Sequence, residues 1–334
     1  MLLVDSTYIH IGGAKIVLDY LVEELEKTDI NVFYLFDARV EKKPFKIKST
    51  NKFLYIDGVL RKRVLFYKKN NDSFNNVIVV GNIPPPVKLN CNVITYFHNP
   101  MYLAVPQDFS FVQRFLYLLK VMLINKWKKN TDVWFVQSTI IREMFTEKFG
   151  ETRKIEILPF FKPLRMNHKK LEKKKQTYFF PSTGQENKNH KRLIEAFCNF
   201  YDKYMIGELI LTVPEQYEAS FAIITKAINS GYPVVNLGYV DRNSLIEYYE
   251  KSEYLMFPSL SESLGLGIIE GIEFECKVIG ADLPYTYAVC EPSLVFNPLD
   301  SASIEKAFIQ SISCQKISVA KIHNEINRLI NLLS

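Results

Sequence analysis

Short runs rich in β-branched and aromatic residues recur along the whole chain, each followed by a stretch with helical spacing, and this rhythm restricts the fold more than any other feature. In the first half the runs are residues 2–9, 31–37, 76–82, 92–99, 132–138 and 154–160; in the second they are 177–183, 208–213, 234–240, 253–259, 277–282 and 293–298. Strands alternating with helices build βα units whose strands pair in parallel, so the expected class is α/β with doubly wound sheets. At 334 residues the chain is long for a single domain. HKKLEKKKQ, residues 168–176, is densely charged and has almost nothing to bury, so it reads as a linker. The expected organisation is a first Rossmann-like domain over 1–165, a linker over 166–176, a second Rossmann-like domain over 177–320, and a helix over 321–334 that returns to the first domain. Two such sheets would turn the carboxyl ends of their strands toward a central cleft, where sheets of this kind bind ligands.

Residues 257–271, FPSLSESLGLGIIEG, leave a strand, pass two glycines and enter a helix near Gly265 to Gly267, with Glu262 and Glu270 eight positions apart. Free N–H groups around Gly265 and Leu266 would turn a helix N-terminus toward an anion such as a phosphate. A carboxylate beside a phosphate repels it. The two glutamates therefore suit hydroxyl donors, such as a ribose and a sugar ring. Two solvated glutamates flanking a helix start are the plainer alternative.

Charge is unevenly shared. Residues 1–165 hold 25 Lys and Arg against 16 Asp and Glu, a net +9, and the remainder holds 17 against 20, a net −3. RKRVLFYKK (61–69) and KWKK (126–129) fall in the basic half. They read as solvated surface or as a face for anionic lipid head groups or a phosphorylated acceptor. FVQRFLYLLKVMLINKW, residues 111–127, is too interrupted by Arg114 and Lys120 to span a bilayer; it reads as a helix covering the sheet or one that also touches a membrane. The five cysteines are odd in number, scattered and without a CxxC pair, which points to a reducing compartment and away from disulfides or zinc. The N-terminus lacks a basic leader and carries Asp5 in its apolar run, so it reads as a first strand and not a signal peptide.

The stretch 257–271 resembles the E-x7-E motif of GT-B glycosyltransferases, most closely the retaining group 1, or family 4, enzymes that use nucleotide-sugar donors. Three other stretches match in order. IHIGGAK (9–15) resembles the family's glycine-rich loop after the first strand; TYFHNP (95–100) puts His98 at a strand end, as in the family's cleft histidine; and TGQENKNHKRLIEAF (183–197) resembles the stretch whose lysine neutralises the diphosphate. The resemblance implies catalytic roles for Glu262, Lys188 and His98, with Glu262 and His98 on the transferred sugar and Lys188 on the leaving group. It implies donor binding by Glu270 at the ribose, by Gly12 and Gly13, by Ser263, Leu264, Gly265 and Leu266 around the diphosphate, and by Thr183 and Tyr239. The family often carries an arginine where this chain has Pro181, Ser182 and Thr183, so the phosphate clamp would fall to Lys188, the helix N-terminus and a neighbour such as Lys191 or Arg192.

These readings lead to an expected transferase that moves a sugar from a nucleotide-diphosphate sugar to an acceptor hydroxyl with retention of configuration, in bacterial surface polysaccharide biosynthesis. No DxD-like carboxylate pair stands at a strand end, so neither metal nor other cofactor is expected. The expected partners are the donor, a lipid-linked glycan acceptor and an anionic membrane surface, with no nucleic acid. The expected location is the cytoplasm, peripheral on the cytoplasmic face of the inner membrane. The alternatives are an inverting GT-B transferase with Asp5, His10 or His98 as its base, a nucleotide-sugar epimerase, or a non-catalytic protein that binds sugar nucleotides or glycans.

Overall fold

The computed structural model describes residues 1–10, 12–40, 45–104, 111–150, 154–164 and 171–334. Ile11 of the glycine-rich loop and residues 166–170 of the expected linker lie outside the described residues. Two compact units are formed, one by residues 1–162 with 323–334 and one by 163–322.

The first unit runs β1 (Leu2–Asp5), α1 (Gly12–Leu25), β2 (Val32–Asp37), β3 (Lys52–Ile56), α2 (Leu60–Lys69), β4 (Asn76–Val79), β5 (Asn92–Phe97), α3 (Phe111–Trp127), β6 (Val133–Val136), α4 (Thr139–Phe149) and β7 (Ile155–Ile157). Its seven strands lie in the order β3-β2-β1-β4-β5-β6-β7, all parallel. Helices on both faces explain why the central strands read as unbroken apolar runs: every residue of β1 is buried. β3 is a strand that the periodicity does not predict. It lies at the sheet edge with Lys52, Phe53 and Leu54 exposed, so it lacks an inside-outside signal.

The second unit runs β8 (Lys174–Phe180), α5 (His190–Tyr204), β9 (Glu208–Leu211), α6 (Glu218–Asn229), β10 (Val234–Asn236), α7 (Leu245–Lys251), β11 (Ser252–Phe257), α8 (Leu266–Glu273), β12 (Lys277–Ala281), α9 (Pro284–Val289), β13 (Cys290–Glu291), β14 (Leu294–Phe296), α10 (Ser301–Ser311) and β15 (Val319–Ala320). The main sheet is β10-β9-β8-β11-β12-β14, again parallel, with β13 and β15 in a small antiparallel pair. The expectation of two doubly wound sheets therefore holds, and each has one topological switch point, between β1 and β4 and between β8 and β11.

Most strands are shorter than the runs that announce them, as β1 is in ending at Asp5, and two boundaries have a visible cause. β8 begins at Lys174, inside the stretch read as linker: just before it Lys173 Nζ donates to the carbonyls of Tyr249 and Ser252 (2.7 and 2.9 Å), while the exposed Lys174 pairs with Glu208 at 2.9 Å. β10 stops at Asn236, short of residue 240. The Asn236 amide exchanges hydrogen bonds with the Val213 backbone, and Gly238 turns away at φ +67°.

α11 (Ile326–Leu333) belongs to the first unit. Ile326, Leu329 and Leu333 sit in one cluster with Leu2, Leu18, Leu21 and Ile78. Asn324 holds the approach, donating to the Tyr20 hydroxyl at 2.9 Å, and Arg328 pairs with Glu156 at 2.7 Å. The same unit buries an ion pair: Arg63 Nε donates to Asp5 at 2.8 Å, its other nitrogens donate to the carbonyls of Ile83 and Pro84, and the Tyr67 hydroxyl and the Thr7 N–H and hydroxyl donate to the same carboxylate. Every polar group of this network is satisfied, the condition under which a buried charge is tolerated.

Candidate active site

In the second unit the loops after β8 and β11 flank the switch point, and they are stitched together. The Leu260 N–H donates to the Asn187 carbonyl at 2.7 Å, Asn187 Nδ2 donates to the Ser261 carbonyl at 3.4 Å, and Asn189 Nδ2 donates to the carbonyls of Pro258 and Pro298 at 3.3 and 2.7 Å. Asn189 is left-handed (φ +61°), a conformation that asparagine tolerates, and opens α5. The consequence is a contact across 74 residues: Lys188 Nζ lies 2.5 Å from Glu262 Oε1, both side chains largely buried. Sequence reasoning named both residues, and the structure brings them together.

Gly265 follows at φ +61°, where a side chain would be strained, and caps α8. The first amides of α8, at Leu266 and Gly267, have no partner within the helix and carry its positive dipole end. Ser263 and Leu264 connect Glu262 to this start, Leu264 buried. Gly271 lets the helix lie on the sheet; a Cβ there would come within 2.8 Å of Leu255 Cδ2.

Glu270, expected at the ribose, is held by two neighbours. It is 5% exposed, with Arg242 Nε and Nη2 on Oε1 at 2.9 and 2.5 Å and the Tyr249 hydroxyl on Oε2 at 2.9 Å. Burial first, and then the adjacent Glu270 charge, push the Tyr249 phenol well above its ordinary pKa. Oε2 retains one lone pair beyond Tyr249. Arg242 and Tyr249 were not named from the sequence; the turn around 241–243 was read only for paired carboxylates.

The remaining residues are dispersed. Thr183 is exposed, its hydroxyl 3.4 Å from Gln185 Oε1, and Tyr239 is 83% exposed beyond the Gly238 turn. Lys191 and Arg192 line a cavity of about 690 Å³ with Gly184, Glu195 and Ser220. Arg192 also donates to Asn189 Oδ1 at 3.1 Å.

In the first unit Gly12 and Gly13 open α1. A Cβ on Gly13 would meet nothing within 4 Å, so packing inside the protein does not demand glycine there. His98 follows β5, half-buried, and Asn82 orients it: Asn82 Oδ1 accepts from the N–H groups of His98 and Asn99 at 2.8 and 3.0 Å, while Asn82 Nδ2 lies 3.4 Å from His98 Nε2. Burial pushes the imidazole down to about 4. Its Nδ1 finds no hydrogen-bond partner among the described residues. Of the three candidate bases of the inverting alternative, two are engaged by arginines. Asp5 is consumed by the Arg63 network, and His10 Nε2 lies 3.2 Å from Arg39 Nη1. Among the described residues no group of three or more His, Cys, Asp and Glu could hold a metal ion.

Comparison with known proteins gives a consistent picture. Residues 162–326 match the family described as glycosyl transferases group 1. No curated protein matches the sequence. The structure is similar to sucrose-phosphate synthase from Thermosynechococcus elongatus, with TM-score 0.70, 15% identity, and coverage of 92% of this chain and 88% of that one. It is similar to the E. coli trehalose-6-phosphate structure bound with UDP-2-fluoro glucose (TM-score 0.62, 14% identity, 93% and 91%). It is also similar to the lipopolysaccharide outer core galactosyltransferase WaaB in its apo form (TM-score 0.63, 12% identity, 94% and 91%). At these identities the likenesses establish the fold, which is GT-B.

Proposed function

The chain is a group 1 glycosyltransferase on its match over residues 162–326, and we propose that it moves a sugar from a nucleotide-diphosphate sugar to an acceptor hydroxyl with retention of configuration. The observation that carries this reading is the Lys188–Glu262 pair at the switch point of the second sheet, beside the start of α8. Breaking the bond from sugar to diphosphate develops negative charge on the leaving group and positive charge on the sugar. An ammonium and a helix N-terminus meeting that negative charge stabilise the transition state more than the bound donor. Glu262 holds Lys188 in place through their ion pair; with donor bound, Lys188 turns to the diphosphate and Glu262 accepts from a sugar hydroxyl. Gly12 and Gly13 admit the donor to the backbone at the start of α1.

Glu270 binds the ribose through the free lone pair of Oε2, with Arg242 and Tyr249 fixing its carboxylate. Neutral His98 offers its unpartnered Nδ1 to the transferred sugar. Retention is the reading we adopt with Asp5 engaged by Arg63 and His10 by Arg39, and with His98, the third candidate base, assigned to the transferred sugar; turnover without metal is supported by the cationic groups at the diphosphate. We place this transfer in bacterial surface polysaccharide assembly on a lipid-linked acceptor, a reading that the basic first half of the chain supports.

The test is binding and slow hydrolysis of a panel of nucleotide sugars in EDTA, for the native protein and for Glu262→Ala. One donor turned over without metal, and impaired by the substitution, is the expected result. If no nucleotide sugar binds either protein, the reading fails.

A further inference from the structure

We infer that α3 is a docking helix that lies in the plane of an anionic lipid surface. Its inner face is ordinary: Ile124 and Trp127 are buried, and Tyr117 and Val121 pack on the cluster formed by Phe97, Trp134 and Phe145. Its outer face is not. Phe111, Phe115, Leu118, Leu119 and Met122 are all exposed, from 40% at Leu119 to 85% at Phe111. At 100° per residue these five fall within about 100° of arc, opposite Ile124. A helix on a protein surface normally turns a polar face outward, and single exposed apolar residues need no explanation, whereas a continuous stripe marks an interaction surface.

The charge around the stripe selects the occupant. Residues 111–130 contain no Asp or Glu, and Arg114, Lys126 and Lys129 are exposed; Lys120 lies half-buried on the opposite side of the helix and Lys128 Nζ donates to the Phe149 carbonyl. A second copy laid on this face would bring the two basic sets together with no counter-charge from either segment. An anionic membrane supplies both what the stripe lacks and what the lysines lack: an apolar layer for Phe, Leu and Met, and phosphates at the depth that lysine side chains reach. The helix is about 25 Å long at 1.5 Å per residue. Among the described residues no helix is long and apolar enough to cross a membrane, so the stripe is suited to lying in the interface.

The test is co-sedimentation of the full chain with vesicles of phosphatidylcholine alone and of phosphatidylcholine with a third phosphatidylglycerol, at low and raised salt. The wild type binds the anionic vesicles, and salt weakens the binding. Phe115→Ser/Met122→Ser and, separately, Lys126→Glu/Lys129→Glu each weaken it by at least about tenfold, with unchanged circular dichroism because all four positions are exposed. Failure of the wild type to bind anionic vesicles overturns the inference. So does binding that survives both pairs of substitutions, or a dimer in sedimentation velocity that Phe115→Ser/Met122→Ser dissolves. Nothing in the inference depends on the transfer reaction, so donor turnover can stand while vesicle binding fails.

Discussion

Arg242 holds Glu270 through two nitrogens on one carboxylate oxygen, at 2.9 and 2.5 Å, while Tyr249 takes the other oxygen. The glutamate that the motif assigns to the donor is thus also a buried structural anion, and its two roles separate in experiment. Arg242→Ala strands a carboxylate that is 5% exposed and is expected to cost about 2 to 3 kcal/mol in urea unfolding. Arg242→Ala/Glu270→Ala removes both charges and should cost less than the sum of the single changes; additive costs would show that the two residues are not coupled.

Lys188→Ala is expected to lower donor turnover by about 100- to 1000-fold while weakening donor binding much less, since the leaving-group charge is fully developed only in the transition state. Stopped-flow turnover with equilibrium binding of the same donor separates the two effects. Equal losses in both would make Lys188 a binding residue only.

Two imidazoles set an acid limit on stability. His98 and His190 are pushed from an ordinary 6.5 to about 4, in each case chiefly by burial, with the Lys188 charge adding to the effect at His190. Between those values the unfolded chain binds more protons than the folded one, so stability is fully present above about 6.5 and falls as the pH drops toward about 4. Thermal midpoints across this window should fall less for His190→Asn than for the wild type, each referred to its own value at neutral pH.

Glycine is required for two different reasons around α8. Gly265→Ala forces a side chain into the left-handed region at φ +61° and is expected to cost about 1 kcal/mol. Gly271→Ala drives a Cβ to 2.8 Å from Leu255 Cδ2 and should cost about 1 to 3 kcal/mol. Chemical denaturation ranks them; a Gly271→Ala protein as stable as wild type would mean that the helix stands further from β11.

The architecture was readable because the central strands, buried on both faces, appear as short apolar runs that alternate with helical spacing along the whole chain. β3 escaped notice although FLYI (53–56) is a short apolar run, because an edge strand with Lys52, Phe53 and Leu54 exposed carries no alternation to mark it as a strand. Lys188 and Glu262 could be named from local motifs, but their contact depends on Asn187 and Asn189 reaching a loop some 70 residues away, which no spacing rule reports. Arg242 was missed for a related reason. An arginine in a turn looks solvated until a carboxylate 28 positions later is found beneath it. Asn82, which orients His98 from 16 positions upstream, gives no sequence signal beyond its own preference for turns.

The first unit is completed by α11, whose Leu329 and Leu333 enter the cluster that begins at Leu2. On the ribosome, which makes the chain from Leu2 onward, residues 1–162 emerge well before the piece that closes their core. The whole second unit is synthesised in the interval. Residues 326–333 thus close, from across the whole second unit, a core whose first member is Leu2.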